Sequence, residues 1–214
     1  MAEITKTYLL PRTPIFTTII PFICAGVYLL TGGINPLARL CELFFPITVL
    51  LFSVIMLLSL KTFELNNVRP ILGYGLMPVL KGIKVTFLSV SGIELMMILF
   101  PFMQNPQRAF QASLVGVFLP TFFYVPTIIL VIGSLGVEGA TLNTWPTLGL
   151  FRQFEYTGIF FERFDTFLLA VWILQVFTTY VICHYAAALG LAQLFGKKME
   201  PFVYGLAPVI YLIA

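Results

Sequence analysis

Charged side chains are scarce in this sequence. Only 10% of its 214 residues are Asp, Glu, Lys or Arg, whereas 59% are hydrophobic. Ordinary soluble domains are about 25% charged and need a polar surface around their core. This composition excludes an ordinary soluble fold. It predicts an integral membrane protein embedded in the lipid bilayer, which accommodates apolar surface without penalty.

Cysteine and histidine are also rare. The three cysteines, Cys24, Cys41 and Cys183, lie far apart, and the sequence has one histidine. It therefore contains no CxxC pair or Cys/His cluster with the spacing of a metal site. The net charge of +3 is small and the longest basic run is Lys197-Lys198, which argues against nucleic-acid binding. Sequence motifs of hydrolases, zinc peptidases and phosphate-binding loops are missing, so we expect no enzymatic activity, cofactor or metal.

Long apolar segments alternate with charged or glycine-rich ones. The segment at about 43–60 holds 13 Leu, Ile, Phe or Val residues, which contribute about −4 to −8 kcal/mol to membrane insertion. A span needs about 20 mostly apolar residues, and several segments approach that length. We predict an all-α fold, a polytopic transmembrane helix bundle that forms a single transmembrane domain over residues 1–214. The predicted helices lie at about 14–31, 43–60, 82–103, 109–133, 165–194 and 201–214, the last being truncated.

One acidic residue, Glu94, falls near the middle of the predicted helix at 82–103. A carboxylate at that depth costs about 2.5–3.5 kcal/mol of insertion free energy. Hydroxyl residues and a glycine precede it, a composition typical of discontinuous helices that line transporter sites. The alternative is a protonated Glu94 that bonds to a neighbouring helix and has only a structural role. The first interpretation predicts a ligand-binding site formed by Thr86, Ser89, Ser91, Gly92 and Glu94.

The predicted helix at 165–194 is uncharged after its first turn but partly polar. Gln175, Thr178 and Thr179 fall within about one turn, so this face should meet other helices or water, and it is a possible cavity lining. His184 is the single histidine. We expect it to form a hydrogen bond between helices, the alternative being a proton relay.

Two long connections are predicted, at residues 62–81 and 137–164. In the second, Leu148, Phe151 and Phe154 recur at helical spacing. This pattern predicts a short helix along the membrane surface between Thr147 and Tyr156, the alternative being an irregular loop.

Several short motifs occur in a definite order along nearly the whole sequence. They are Leu10-Pro11-Arg12-Thr13-Pro14, Asn66-Asn67-Val68-Arg69-Pro70, Trp145-Pro146-Thr147, Phe161-Glu162-Arg163-Phe164-Asp165, Val171-Trp172-Ile173 and Phe177-Thr178-Thr179. In the order and spacing of these motifs, the sequence resembles the B subunits of spore nutrient germinant receptors. This germination permease family belongs to the amino acid–polyamine–organocation transporter superfamily.

The resemblance implies part of a LeuT-like fold, which is built from two inverted repeats of five transmembrane helices. The predicted helices look like the fourth to the eighth of such a set, followed by the start of the ninth. The chain is therefore expected to be a fragment that lacks the first three helices and the C-terminal end. In such folds the first and sixth helices are broken and hold the substrate. The helix at 82–103 resembles the sixth, which agrees with the site inferred around Glu94.

The resemblance also implies a function. We expect a multi-pass protein of the spore inner membrane that binds a small germinant, with an amino acid as the expected class. It would work with the A and C subunits of the receptor to trigger germination. Two alternatives share the same sequence features: an amino acid secondary transporter, and an inactive truncated remnant.

Lysine and arginine are distributed unevenly between the two sides of the predicted bundle. The side with the two long connections carries eight of the 12, and the other side carries four. The positive-inside rule would make the first side cytoplasmic, whereas the resemblance places it on the outer face. We adopt the orientation that the resemblance implies.

Overall fold

The computed structural model describes residues 5–6, 12–70, 73, 75–89, 92, 94–152 and 164–213. All regular secondary structure in these ranges is helical, which confirms the all-α class. The principal α-helices are α1 (Ile15–Thr31), α2 (Ile34–Ser59), α3 (Leu65–Val68), α4 (Met77–Ser89), α5 (Leu95–Leu99), α6 (Ala109–Leu142), α7 (Pro146–Arg152), α8 (Phe164–Phe195) and α9 (Glu200–Ile213).

Within the described residues, three stretches of helix are long and apolar enough to cross a membrane. They are Ile34–Thr62, Pro106–Leu142 and Leu169–Phe195. The apolar helices α1 and α9 are shorter. With 17 residues, α1 is about 26 Å long, slightly less than the hydrocarbon thickness of a bilayer. The region predicted as one helix at 82–103 is divided between two helices. α4 begins before it, at Met77, and ends at Ser89, and α5 runs from Leu95 to Leu99.

Helix α2 begins well before the segment predicted for it at 43–60. Gly33 precedes it with a φ of 79°, a conformation that glycine adopts without steric cost. The N–H of Gly33 donates to the Leu30 carbonyl at 3.0 Å. Helical geometry then continues through Arg39 and Glu42 into the apolar part. The predicted start at 43 is the start of the uncharged segment. The helix itself begins earlier, because charged residues such as Arg39 and Glu42 are compatible with helical geometry.

The chain divides into two compact units. The first contains α1, residues 34–52 of α2, α8 and α9. Each of these helices contributes side chains to one buried cluster, which consists of Leu30, Leu37, Val181, Tyr185, Ala188 and Val203. In lipid, such close packing rather than exclusion of water holds helices together.

Close approach of α1 to α8 in this unit depends on Gly26. The ring of Tyr180 lies directly against its Cα, so that a Cβ at this position would collide with the ring. The ring of Phe22, one turn earlier in α1, packs against two rings of α8. The distance between ring centroids is 5.1 Å to Phe177 and 5.5 Å to Tyr180. These aromatic contacts fix the Tyr180 ring in position.

The second unit contains the end of α2 and the helices α3 to α7. Pro120 and Pro126 lie within α6, but the backbone is interrupted further along, at Gly136, where φ is 68° and ψ is 169°. The chain around the short helix α3 packs against α6 near this interruption. The short helix predicted near residues 147–156 is confirmed as α7 up to Arg152, and residues 153–163 lie outside the described part.

Substitution of Gly26 by alanine tests the contact between α1 and α8. We expect Gly26→Ala to lower the free energy of unfolding by about 1–3 kcal/mol, because the Tyr180 ring would have to move. Thermal unfolding of the purified protein in detergent measures the effect.

Gly190 in α8 provides the matched control, because a Cβ there would meet nothing within 4 Å. Gly190→Ala should leave stability unchanged or raise it by about 0.5–1 kcal/mol through better helix propensity. Equal losses from the two substitutions would contradict the contact described for Gly26.

Candidate ligand-binding site

The candidate site is the interruption between α4 and α5. Helix α4 ends at Ser89 and α5 begins at Leu95. Between them Gly92 has a φ of 120°, which side-chain-bearing residues rarely adopt. The last carbonyls of an α-helix have no N–H partners within the helix, so the end of α4 is a place where backbone acceptors meet groups from outside the helix.

Glu94 folds back onto this interruption. Its Oε2 accepts a hydrogen bond from the Gly92 N–H at 2.8 Å, and the side chain is exposed. The Leu95 N–H donates to the Gly92 carbonyl at 3.1 Å and closes the turn from the other side. A carboxylate offers about four lone-pair sites, so one bond to Gly92 leaves acceptor capacity for a ligand.

The structure describes only part of the predicted residue set. It brings Gly92 and Glu94 together. Thr86 is exposed on α4, and its hydroxyl donates to the Gly82 carbonyl at 3.0 Å. Ser89 is the last residue of α4, but its side chain lies outside the described part, as does the whole of Ser91. Their assignment to the site stays a prediction.

The hydroxyls of Thr178 and Thr179 in α8 form hydrogen bonds within their own helix. Thr178 Oγ1 donates to the Gln175 carbonyl at 2.8 Å, and Thr179 Oγ1 donates to the same carbonyl at 3.1 Å. Gln175 and Thr178 are partly buried, whereas Thr179 is exposed. Bonds of this kind allow hydroxyl residues to lie in an apolar helix. Whether these residues line a cavity stays a prediction.

His184 forms the interhelical hydrogen bond expected of it. It is 2% exposed, and its Nε2 lies 3.1 Å from the Val203 carbonyl of α9. Because a carbonyl only accepts, Nε2 carries the proton, and in the neutral ring Nδ1 then accepts from the Tyr180 hydroxyl, 3.1 Å away. The interhelical interpretation is confirmed, and both ring nitrogens are occupied by protein groups. The sequence position of His184 indicated an interhelical hydrogen bond, but it did not indicate that Val203 and Tyr180 are the partners.

Metal binding finds no support in the described ranges, where no three His, Cys, Asp or Glu side chains come together.

Two further features of the structure were not predicted from the sequence. One is the interruption of α6 at Gly136, and the other is the packing of residues 62–67 on α6 beside it. Glycine is common in membrane helices, so the composition of this region gave no clear signal.

These features define a helical membrane protein with an interrupted helix. A family model described as "Spore germination protein" matches residues 1–214, and the chain belongs to this spore permease family. The resemblance drawn from the motifs is thereby confirmed at the level of the family. No solved structure matches the chain.

Three curated relatives are spore germination proteins of Bacillus subtilis (strain 168). The chain is 49% identical to spore germination protein YndE over all of its own length and 59% of that relative. It is 42% identical to spore germination protein A2, over 94% of the chain and 55% of the relative. For spore germination protein B2 the identity is 33%, over 92% of the chain and 54% of the relative. The chain thus spans little more than half the length of these relatives.

A double-mutant cycle tests the hydrogen bond between Tyr180 and His184. His184→Leu should cost about 1–3 kcal/mol of unfolding free energy, because it leaves the partly buried Tyr180 hydroxyl without its acceptor and the Val203 carbonyl without its donor. Tyr180→Phe should cost about 1 kcal/mol. The double variant should lose less than the sum of the two, by about 0.5–1.5 kcal/mol.

Unfolding in mixed detergent micelles provides the measurement, with Tyr204→Phe at a 57% exposed tyrosine of α9 as the control. Strict additivity of the two losses would mean that the hydrogen bond between Tyr180 and His184 contributes nothing to stability.

Proposed function

We propose that this chain is the membrane-embedded part of a nutrient germinant receptor subunit, which binds a small germinant to trigger spore germination. Family membership supports the germination role. The observation that carries the binding proposal is the interruption at Gly92, where an exposed carboxylate bonds to the backbone. An interrupted helix frees backbone groups within the membrane, and such groups bind ligands in transporters of the LeuT type.

An amino acid is the germinant class that this chemistry suits. Its ammonium group would lie against the Glu94 carboxylate and the carbonyls at the end of α4, where the helix dipole is negative. Its carboxylate would accept from the hydroxyls of Ser89 and Ser91 and from backbone N–H groups released by the interruption. Thr86 would join them by turning its hydroxyl from the Gly82 carbonyl to the ligand. Gly92 would allow the ligand to approach the backbone closely, since it has no side chain.

Binding would act by shifting an equilibrium between conformations. We propose that the A and C subunits of the receptor respond to this shift, and that the protein crosses the spore inner membrane several times with a LeuT-like arrangement. The family resemblance and the three membrane-length helices support these proposals. We propose separately that Gln175, Thr178 and Thr179 of α8 line a cavity, because they form a polar face on an apolar helix.

Two substitutions of Glu94 separate its charge from its bond to Gly92. Glu94→Gln retains an oxygen that accepts from the Gly92 N–H but removes the charge, whereas Glu94→Ala removes both. If the carboxylate binds an ammonium group, Glu94→Gln should raise the amino acid concentration needed for germination by about tenfold or more, since bonds to charged groups contribute about 1.5–3 kcal/mol.

The measurement is germination of spores that carry the complete receptor, over a panel of amino acids, with subunit abundance checked by immunoblot. Glu138→Gln, at an exposed acid of α6, is the control and should change nothing. A normal response of Glu94→Gln together with a defective Glu94→Ala would mean that Glu94 only stabilises the interruption, and would refute its contact with the ligand.

Uptake of labelled amino acid without the A and C subunits would favour a secondary transporter. A chain that accumulates but neither responds nor transports would be an inactive remnant.

Removal of the Thr178 hydroxyl tests the cavity assignment. Thr178→Val should leave abundance normal, because the hydroxyl bonds within its own helix, and should shift the germination response if Thr178 lines the cavity. Thr121→Val removes a hydroxyl with the same type of bond, at 2.8 Å to the Val117 carbonyl, from an exposed position of α6. If both variants respond like the unmodified receptor, Thr178 does not line the ligand cavity.

A further inference from the structure

The connection that follows α2 is hydrogen-bonded to α6, next to the interruption of α6 at Gly136. The Gly133 carbonyl accepts two hydrogen bonds from this connection. One comes from the Glu64 backbone N–H at 3.1 Å and the other from Asn67 Nδ2 at 2.9 Å. Both donors lie more than 60 residues away in sequence, so they hold together two segments that the chain does not join directly.

The Gly133 carbonyl needs partners from outside its helix. In an unbroken α-helix it would accept from the N–H of residue 137, and the ring closed by that bond includes residue 136. Gly136 has a φ of 68° and a ψ of 169°, so this bond is lost. A carbonyl without a partner is costly in a membrane protein, where water does not replace the missing donor. Glu64 and Asn67 supply two donors in place of the one that is lost.

Side-chain packing makes the same connection specific. Gly133 is buried, and a Cβ on it would collide with the ring of Phe63. Thr62 precedes Phe63 and Ser134 follows Gly133, and the hydroxyls of Thr62 and Ser134 lie 2.9 Å apart, within hydrogen-bond distance. The contact therefore involves ring packing, backbone donors and side-chain donors, all centred on the last turn before the interruption.

We propose that residues 60–68 form a clamp that holds the bend of α6 at Gly136, and that Asn67 is its positioning residue. At Gly136 itself a Cβ would meet nothing within 4 Å, so the contacts of the clamp described above lie on the preceding turn, at Gly133. Eight residues of the chain separate the end of the clamp from α4, which begins at Met77.

This proposal goes beyond the proposed function and does not depend on it. Its test is physical: the distance between spin labels placed on both sides of Gly136. Labels at Ile128 and Leu142 suit this purpose because the two side chains are 57% and 86% exposed. The complete protein is used in lipid nanodiscs, with Cys24, Cys41 and Cys183 replaced by alanine so that only the introduced cysteines react.

The matched pair of variants is Asn67→Ala and Asn66→Ala. Asn66 is the neighbouring residue and is exposed, whereas Asn67 is partly buried. Asn67→Ala should broaden the distance distribution and shift its mean, because one of the two donors to Gly133 is lost. Asn66→Ala should leave the distribution unchanged. Identical distributions in both variants and in the unmodified protein would overturn the proposal.

A second pair tests the clamp if Asn67→Ala fails to accumulate. Gly133→Ala should broaden the distribution because its Cβ displaces Phe63, and Phe63→Ala in the same chain should restore it at least in part. Gly116→Ala, in the same helix with nothing within 4 Å of the new Cβ, is the control. A distribution for Gly133→Ala equal to that of Gly116→Ala would overturn the clamp, whatever the germination assays show for Glu94.

Discussion

A polypeptide in lipid has no water to satisfy its backbone N–H and C=O groups, so it must satisfy them itself. Continuous helices do so with their own bonds. Hydroxyl side chains in this chain return to the same backbone: Thr48, Thr127 and Thr178 donate to the carbonyls of residues three or four positions earlier. Polar residues therefore lie in apolar helices without an exposed donor. The ends and interruptions of helices require partners from elsewhere.

The first unit has a different requirement, because its helices must find each other without a hydrophobic driving force. The absence of a Cβ at Gly26 admits the Tyr180 ring, and the ring's hydroxyl then orients His184. His184 in turn donates to the backbone of α9. One glycine, one tyrosine and one histidine thus connect three helices through contact and hydrogen bonding. The polarity of His184 is used within the protein, which explains how a titratable side chain tolerates burial of this degree.

The sequence was informative where a residue type conflicted with its surroundings. Glu94 is conspicuous among apolar neighbours, so both it and the interruption of its helix were predictable, and His184 was recognisable as an interhelical group for the same reason. The start of α2 was not predictable from charge, because helices extend past apolar segments. The Gly136 interruption and the role of Asn67 were not predictable either. Glycine and asparagine acquire meaning there only through a partner more than 60 residues away, which no local pattern encodes.

The two interruptions of the second unit differ in whether a ligand could use them. At Gly136 both lone pairs of the Gly133 carbonyl are taken, by Glu64 and Asn67, and the ring of Phe63 covers the same turn. A ligand would have to break interior contacts to gain a bond there. At Gly92 the partner is an exposed carboxylate with lone pairs to spare. Under the proposed function, a cationic group would gain a charge-assisted bond to this carboxylate. The Gly136 interruption is thus closed by protein groups, whereas the one at Gly92 carries an exposed charge.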